Sequence, residues 1–174
     1  YSKLDAAWSD YKALLVGAAP SRERAPRMLQ LNASVLALAH QGTVQYETVM
    51  GKPVGKLVNL AGRERMLSQR MAMLYLAAKL PVDAATASAE IEKARSEFVA
   101  GMATLHKAPE NTQTIKDELQ LADGQWVFFD AALKKAGSGE VAAAKPMTEV
   151  FTTSENLLTV MDHITGLYAG LKAG

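Results

Sequence analysis

The chain has 174 residues, of which 49% are hydrophobic and 21% charged, and its net charge is +1. That is enough chain to bury a core, and too little charge to lay a broad basic field on nucleic acid. The absence of cysteine excludes disulfides, thiolate metal ligands and a cysteine nucleophile.

Alanine and leucine dominate, aromatics are 6%, and no run of alternating apolar residues suggests a strand. Breaks at Gly17-Ala-Ala-Pro20, Gly51-Lys-Pro53, Leu80-Pro81-Val-Asp83, Ala108-Pro109 and Gly137-Ser-Gly139 divide the chain. They predict six helices, roughly 2–16, 22–50, 54–80, 84–107, 111–136 and 146–172. Long helices joined by short turns favour an antiparallel up-down bundle. The expected fold is therefore all-α, with a four-helix bundle over 54–172 preceded by two N-terminal helices. No apolar run approaches the roughly 20 residues that span a bilayer. The chain opens on Tyr1 and shows no signal peptide. It reads as a processed or trimmed piece, with room for a leader, an anchor or a further repeat before it.

The first helix carries Trp8-Ser-Asp-Tyr11-Lys-Ala-Leu-Leu15. This lines up with Trp126-Val-Phe-Phe129-Asp-Ala-Ala-Leu133 in the fifth. Val35-Leu36 and Thr43-Val-Gln-Tyr46 line up in the same way with Leu157-Leu158 and Thr165-Gly-Leu-Tyr168. The echo suggests that 1–50 is a helical hairpin forming the back half of one module, with 54–172 a complete second module. Between them, Gly51-Lys-Pro-Val-Gly-Lys56 is one residue short of a phosphate loop and has Leu57 where Ser or Thr is needed. It reads as a helix break.

The third helix contains Asn59-Leu-Ala-Gly-Arg-Glu-Arg-Met-Leu-Ser-Gln-Arg70, an unusual load of charge on an apolar helix. Leu57, Leu60, Glu64, Leu67, Met71, Leu74 and Ala78 form a core stripe with one acidic intrusion. Val58, Gly62, Arg65, Gln69, Ala72 and Leu76 form a second seam with the same spacing. The second seam is small and semi-apolar, and suits close approach by another helix. A copy related by a two-fold axis is such a helix. Arg65 then faces its symmetry mate, and the two guanidinium groups repel unless an anion lies between them. The planar guanidinium fork suits a planar oxyanion. The competing reading is a dimerisation or scaffold module with no small ligand. In it, Glu64 or an acid on a neighbouring helix neutralises Arg65.

In the later helices, Trp126, Phe128 and Phe129, like Trp8 and Tyr11, read as core, and the methionines as core filler. His40, His106 and His163 stand on separate helices without metal-ligand spacing, so neither a metal nor another cofactor is expected. No nucleophile–base pair or convergent carboxylates appear, which points away from an enzyme.

Residues 58–71 resemble the signature helix of PilJ-type sensor domains, found in bacterial chemoreceptors and in nitrate-sensing histidine kinases of the NarX kind. The family pattern N-x-A-G-x-x-R-M-x-S-x-R is met at Asn59, Ala61, Gly62, Arg65, Met66, Ser68 and Arg70. The resemblance implies a periplasmic four-helix sensor module that binds a small anion such as nitrate at a homodimer interface, for signal transduction or chemotaxis. A membrane-bound signalling partner or a membrane anchor belongs to that picture, and nucleic acid does not. Carried over, the anion-binding arginine is Arg65 and the close-approach glycine is Gly62. Asn59, Ala61 and Met66 shape the site, with Arg63, Ser68, Gln69 and Arg70 in support.

Overall fold

The computed structural model describes residues 1–17, 19, 21–79, 84–137 and 144–171. The breaks expected at Pro20, 80–83 and Ser138-Gly139, and the end of the last helix at 172, fall outside those residues. Six α-helices and no strand are present among the described residues. The chain divides into two compact units, Tyr1–Gly51 and Lys52–Gly174.

The first unit is the pair α1 (Ser2–Val16) and α2 (Ala25–Met50). Pro26 stands in the first turn of α2, where its missing N–H leaves no hydrogen bond unmade, so the helix begins a few residues later than expected. It ends at Gly51, whose φ of 60° is the left-handed conformation that glycine adopts without strain. The loop-like Gly51–Lys56 segment is thus a helix stop followed by a new start. No residue of α1 is buried. Trp8, expected as core, is 46% exposed and meets the edge of Tyr11. The Tyr11 hydroxyl accepts a hydrogen bond from Asn32 Nδ2 at 3.2 Å.

The second unit holds α3 (Pro53–Lys79), α4 (Ala84–His106), α5 (Gln113–Gly137) and α6 (Ala144–Ala169). Each helix packs on two neighbours: α3 on α4 and α6, and α5 on α4 and α6. Bonds between facing helices run in opposite senses. Arg63 and Arg70 of α3 meet Glu97 and Glu90 of α4, and Gln69 reaches Ser154 of α6. The bundle is therefore antiparallel throughout.

Apolar residues at 3-4 spacing fill its centre. They include Leu57, Leu67 and Met71 of α3, Phe98, Met102 and Leu105 of α4, Ile115, Leu119 and Phe129 of α5, and Leu157, Met161, Ile164 and Tyr168 of α6. Burying each large side chain stabilises by roughly 1.5–3 kcal/mol. Trp126 stacks on Phe98 with ring centroids 4.4 Å apart. Phe128, read as core, is instead 63% exposed. Adjacent helical residues lie about 100° apart, so Phe129 inward turns Phe128 outward.

The α4–α5 turn is closed by side chains. Thr112 Oγ1 accepts from the backbone N–H of Ile115, capping α5. Asn111 Nδ2 donates to the carbonyl of Leu105 at 2.7 Å, and the Tyr168 hydroxyl donates to Asn111 Oδ1 at 2.6 Å. This ties the turn to the end of α6.

Candidate functional site

Arg63, Glu64 and Arg65 are consecutive, and the helical turn of about 100° per residue sends them three ways. Arg63 points to α4 and donates from Nη2 to Glu97 Oε2 at 2.6 Å. Arg70, two turns on, does the same to Glu90 Oε2 at 2.8 Å. That bond, together with the Arg70 charge, holds the Glu90 carboxyl below its usual range against the opposing effect of burial.

Glu64 points into the core. It is fully buried, and neither carboxyl oxygen has a hydrogen-bond partner. The carboxyl fits because α4 offers a glycine there. A Cβ on Gly101 would stand 1.9 Å from Glu64 Oε1. Burial pushes the Glu64 pKa up to about 8, with Arg63 pulling it down and Glu97 adding to the rise. The side chain is therefore neutral at pH 7, which is how an unpaired carboxyl tolerates the core.

Arg65 points to α6, where its guanidinium donates to a carboxylate oxygen of Asp162. The two side chains are 38% and 66% exposed. They lie in an open groove of about 450 Å³ lined by Gly62, Arg65, Met66 and Gln69 of α3 and by Leu158, Thr159 and Asp162 of α6. A Cβ added to Gly62 would meet nothing within 4 Å.

Of the nine residues singled out in sequence, four thus line one groove: Gly62, Arg65, Met66 and Gln69. Gln69 Nε2 also donates to the carbonyl of Ser154 at 3.3 Å. Ala61 is buried in the core and does not line the groove. Ser68 is buried and donates to the backbone oxygen of Arg65 at 2.8 Å, bracing the turn that carries the guanidinium. Asn59 is half-buried and stands apart from the groove lining. Arg63 and Arg70 face α4. The second seam meets α6 of the same chain over Arg65 and Gln69, because a corner helix in a four-membered ring needs two packing faces. Sequence reasoning left an acid on a neighbouring helix open as the partner of Arg65, and Asp162 fills that role. Leu158 and Thr159 gave no signal of their own in the sequence.

His106 and His163 meet Asp123 and Glu118 respectively, and neither lines this groove. No helix among the described residues is long and apolar enough to cross a membrane.

The described residues thus form helices only, and the arginine-rich helix presents one guanidinium in a groove. The family model described as PilJ, type IV pili methyl-accepting chemotaxis transducer N-terminal, matches residues 50–151, more than half the chain. The chain belongs to the PilJ family. The match takes in α3, α4, α5 and the start of α6, and ends before Leu158, Thr159 and Asp162. The comparisons with curated proteins and with solved structures each gave no match. Membership places the chain among the sensing modules of chemoreceptor signalling.

Proposed function

We propose that the chain is a periplasmic, non-enzymatic sensor for a small planar oxyanion of the nitrate kind, bound by Arg65. One observation carries this reading. Of the three arginines on the signature helix, Arg63 and Arg70 are drawn onto half-buried acids of α4, whereas Arg65 meets the more exposed Asp162 in an open groove beside an uncovered glycine. An exposed ion pair contributes only about 0–1 kcal/mol, so a competing oxyanion can replace the carboxylate at small cost. The open space at Gly62 suits the approach of a second copy, whose Arg65 would double the positive charge on one anion. In this reading the pair α1–α2 is the back half of a preceding module. The absence of any fully buried residue in α1 and the exposed Leu15, Val16, Tyr46 and Val49 support that role.

The scaffold reading also has an observation in its favour, since Arg65 already has a neutralising partner in Asp162. Titration calorimetry of the full chain with nitrate, nitrite, sulfate and chloride separates the two. The sensor reading expects one planar anion to bind and to raise the melting temperature. A ligand at 100 times its dissociation constant stabilises by about 2.7 kcal/mol. Arg65→Lys should bind poorly, because an ammonium lacks the planar fork. No heat and no melting shift at millimolar anion establishes the scaffold reading.

A further inference from the structure

The groove is not simply cationic, because the Asp162 carboxylate rests on the guanidinium that the proposed ligand needs. A carboxylate and a nitrate ion present the same thing to an arginine: two coplanar oxygens on a trigonal centre. From this geometry we infer that Asp162 is a resident competitor at the Arg65 site, an internal anion that sets the affinity for the external one and whose displacement releases α6 from α3 at that level. The inference rests on the oxyanion reading of the site and assigns its regulation.

Three features fit that role. First, Asp162 is well exposed and can swing into water, where its charge is solvated. Second, the α3–α6 contact does not depend on this pair. Gln69 stays bonded to the Ser154 carbonyl, and the Leu67, Met71, Leu157 and Met161 packing lies beneath. The pair can therefore open without unfolding the bundle. Third, any anion placed on Arg65 with Asp162 still nearby meets a like charge, so binding and departure of the carboxylate are linked. A ligand that binds one arrangement better than the other shifts the balance toward it, and the α3–α6 seam is the element biased here.

The test is nitrate titration of the wild-type chain, Asp162→Asn, Asp162→Ser, Asp162→Glu and Arg65→Ala at fixed ionic strength. Melting temperatures check that each variant folds. Removing both the competing bond and the like charge should tighten nitrate binding roughly five- to thirty-fold in Asp162→Asn and Asp162→Ser. Asp162→Glu keeps a competing carboxylate and should stay within about three-fold of wild type. Amide hydrogen exchange around 158–165 gives a second readout. Nitrate should speed it in the wild type, while in Asp162→Asn it should be fast already and indifferent to nitrate. If the wild type binds nitrate and the two charge-free variants bind equally or more weakly, Asp162 is an orienting group and the inference is overturned. If no protein in the series binds nitrate, the oxyanion reading fails and the inference falls with it.

Discussion

On its α4 side, the signature helix holds its charges partly or wholly buried. Arg63 and Arg70 lie half-buried on Glu97 and Glu90, and Glu64 is shut into the core as a neutral acid against Gly101. Toward α6 the same helix sets a half-buried Arg65 on an Asp162 that is 66% exposed, in an open groove. The difference shows how one motif divides its labour. The α4 flank fixes the rotation of α3 about its own axis. That rotation then aims Arg65 away from the core, onto its pair with the exposed Asp162.

The largest effect expected from this contrast lies on the closed side, at Glu64. Its folded pKa of about 8 stands above the unfolded value of 4.5, so the unfolded chain releases this proton first as pH rises. Its contribution to stability is complete below pH 4.5, is lost across the window up to about 8, and is level beyond. Glu64→Gln keeps the shape without the charge. At a pH of about 9 it should be more stable than wild type by on the order of 3 kcal/mol, and about equal to it near pH 4. Denaturant unfolding of both proteins across this range checks the point, and parallel profiles would mean that Glu64 is not a buried neutral acid.

A smaller effect is expected at Gly101. Replacing it with Ala puts a methyl where the Glu64 carboxyl sits, and should cost about 1–3 kcal/mol through overpacking. Combined with Glu64→Ala, the same change should cost far less, because the obstructing group is gone. Additive costs in this cycle would place the strain elsewhere.

The smallest effects separate the two flanks directly. Glu97→Ala strips a half-buried arginine of its acid and should destabilise by about 1 kcal/mol. Asp162→Ala, on the open flank, should change stability by less than about 0.5 kcal/mol. Thermal melts that reverse this order would remove the distinction between a closed and an open side.

Much of the fold was legible in sequence. Gly51, Pro53 and Ala108-Pro109 interrupt otherwise unbroken helical pattern, and the helix boundaries follow them closely. The arginines were legible because charge on an apolar helix is costly without a reason. What each arginine meets was not legible. Asp162 lies nearly a hundred residues from Arg65, and only the antiparallel register of α3 and α6 brings the two together. Glu64 stood out as an intrusion in the core stripe. The compensation for it, a glycine on α4, depends on a packing level that no local pattern encodes. Phe128 was misread because an aromatic-rich segment looks apolar on every side, while only one face of α5 is buried.

Nitrate titration of Arg65→Ala beside Arg63→Ala and Arg70→Ala decides whether Arg65 holds the anion. Each charge-assisted bond to the anion contributes on the order of 1.5–3 kcal/mol, and a two-fold site loses such bonds from both copies at once. Arg65→Ala should abolish binding in a micromolar-to-millimolar assay, while Arg63→Ala and Arg70→Ala, which alter the α4 flank, should still bind. Wild-type affinity in Arg65→Ala would contradict this and move the site to another face of the bundle.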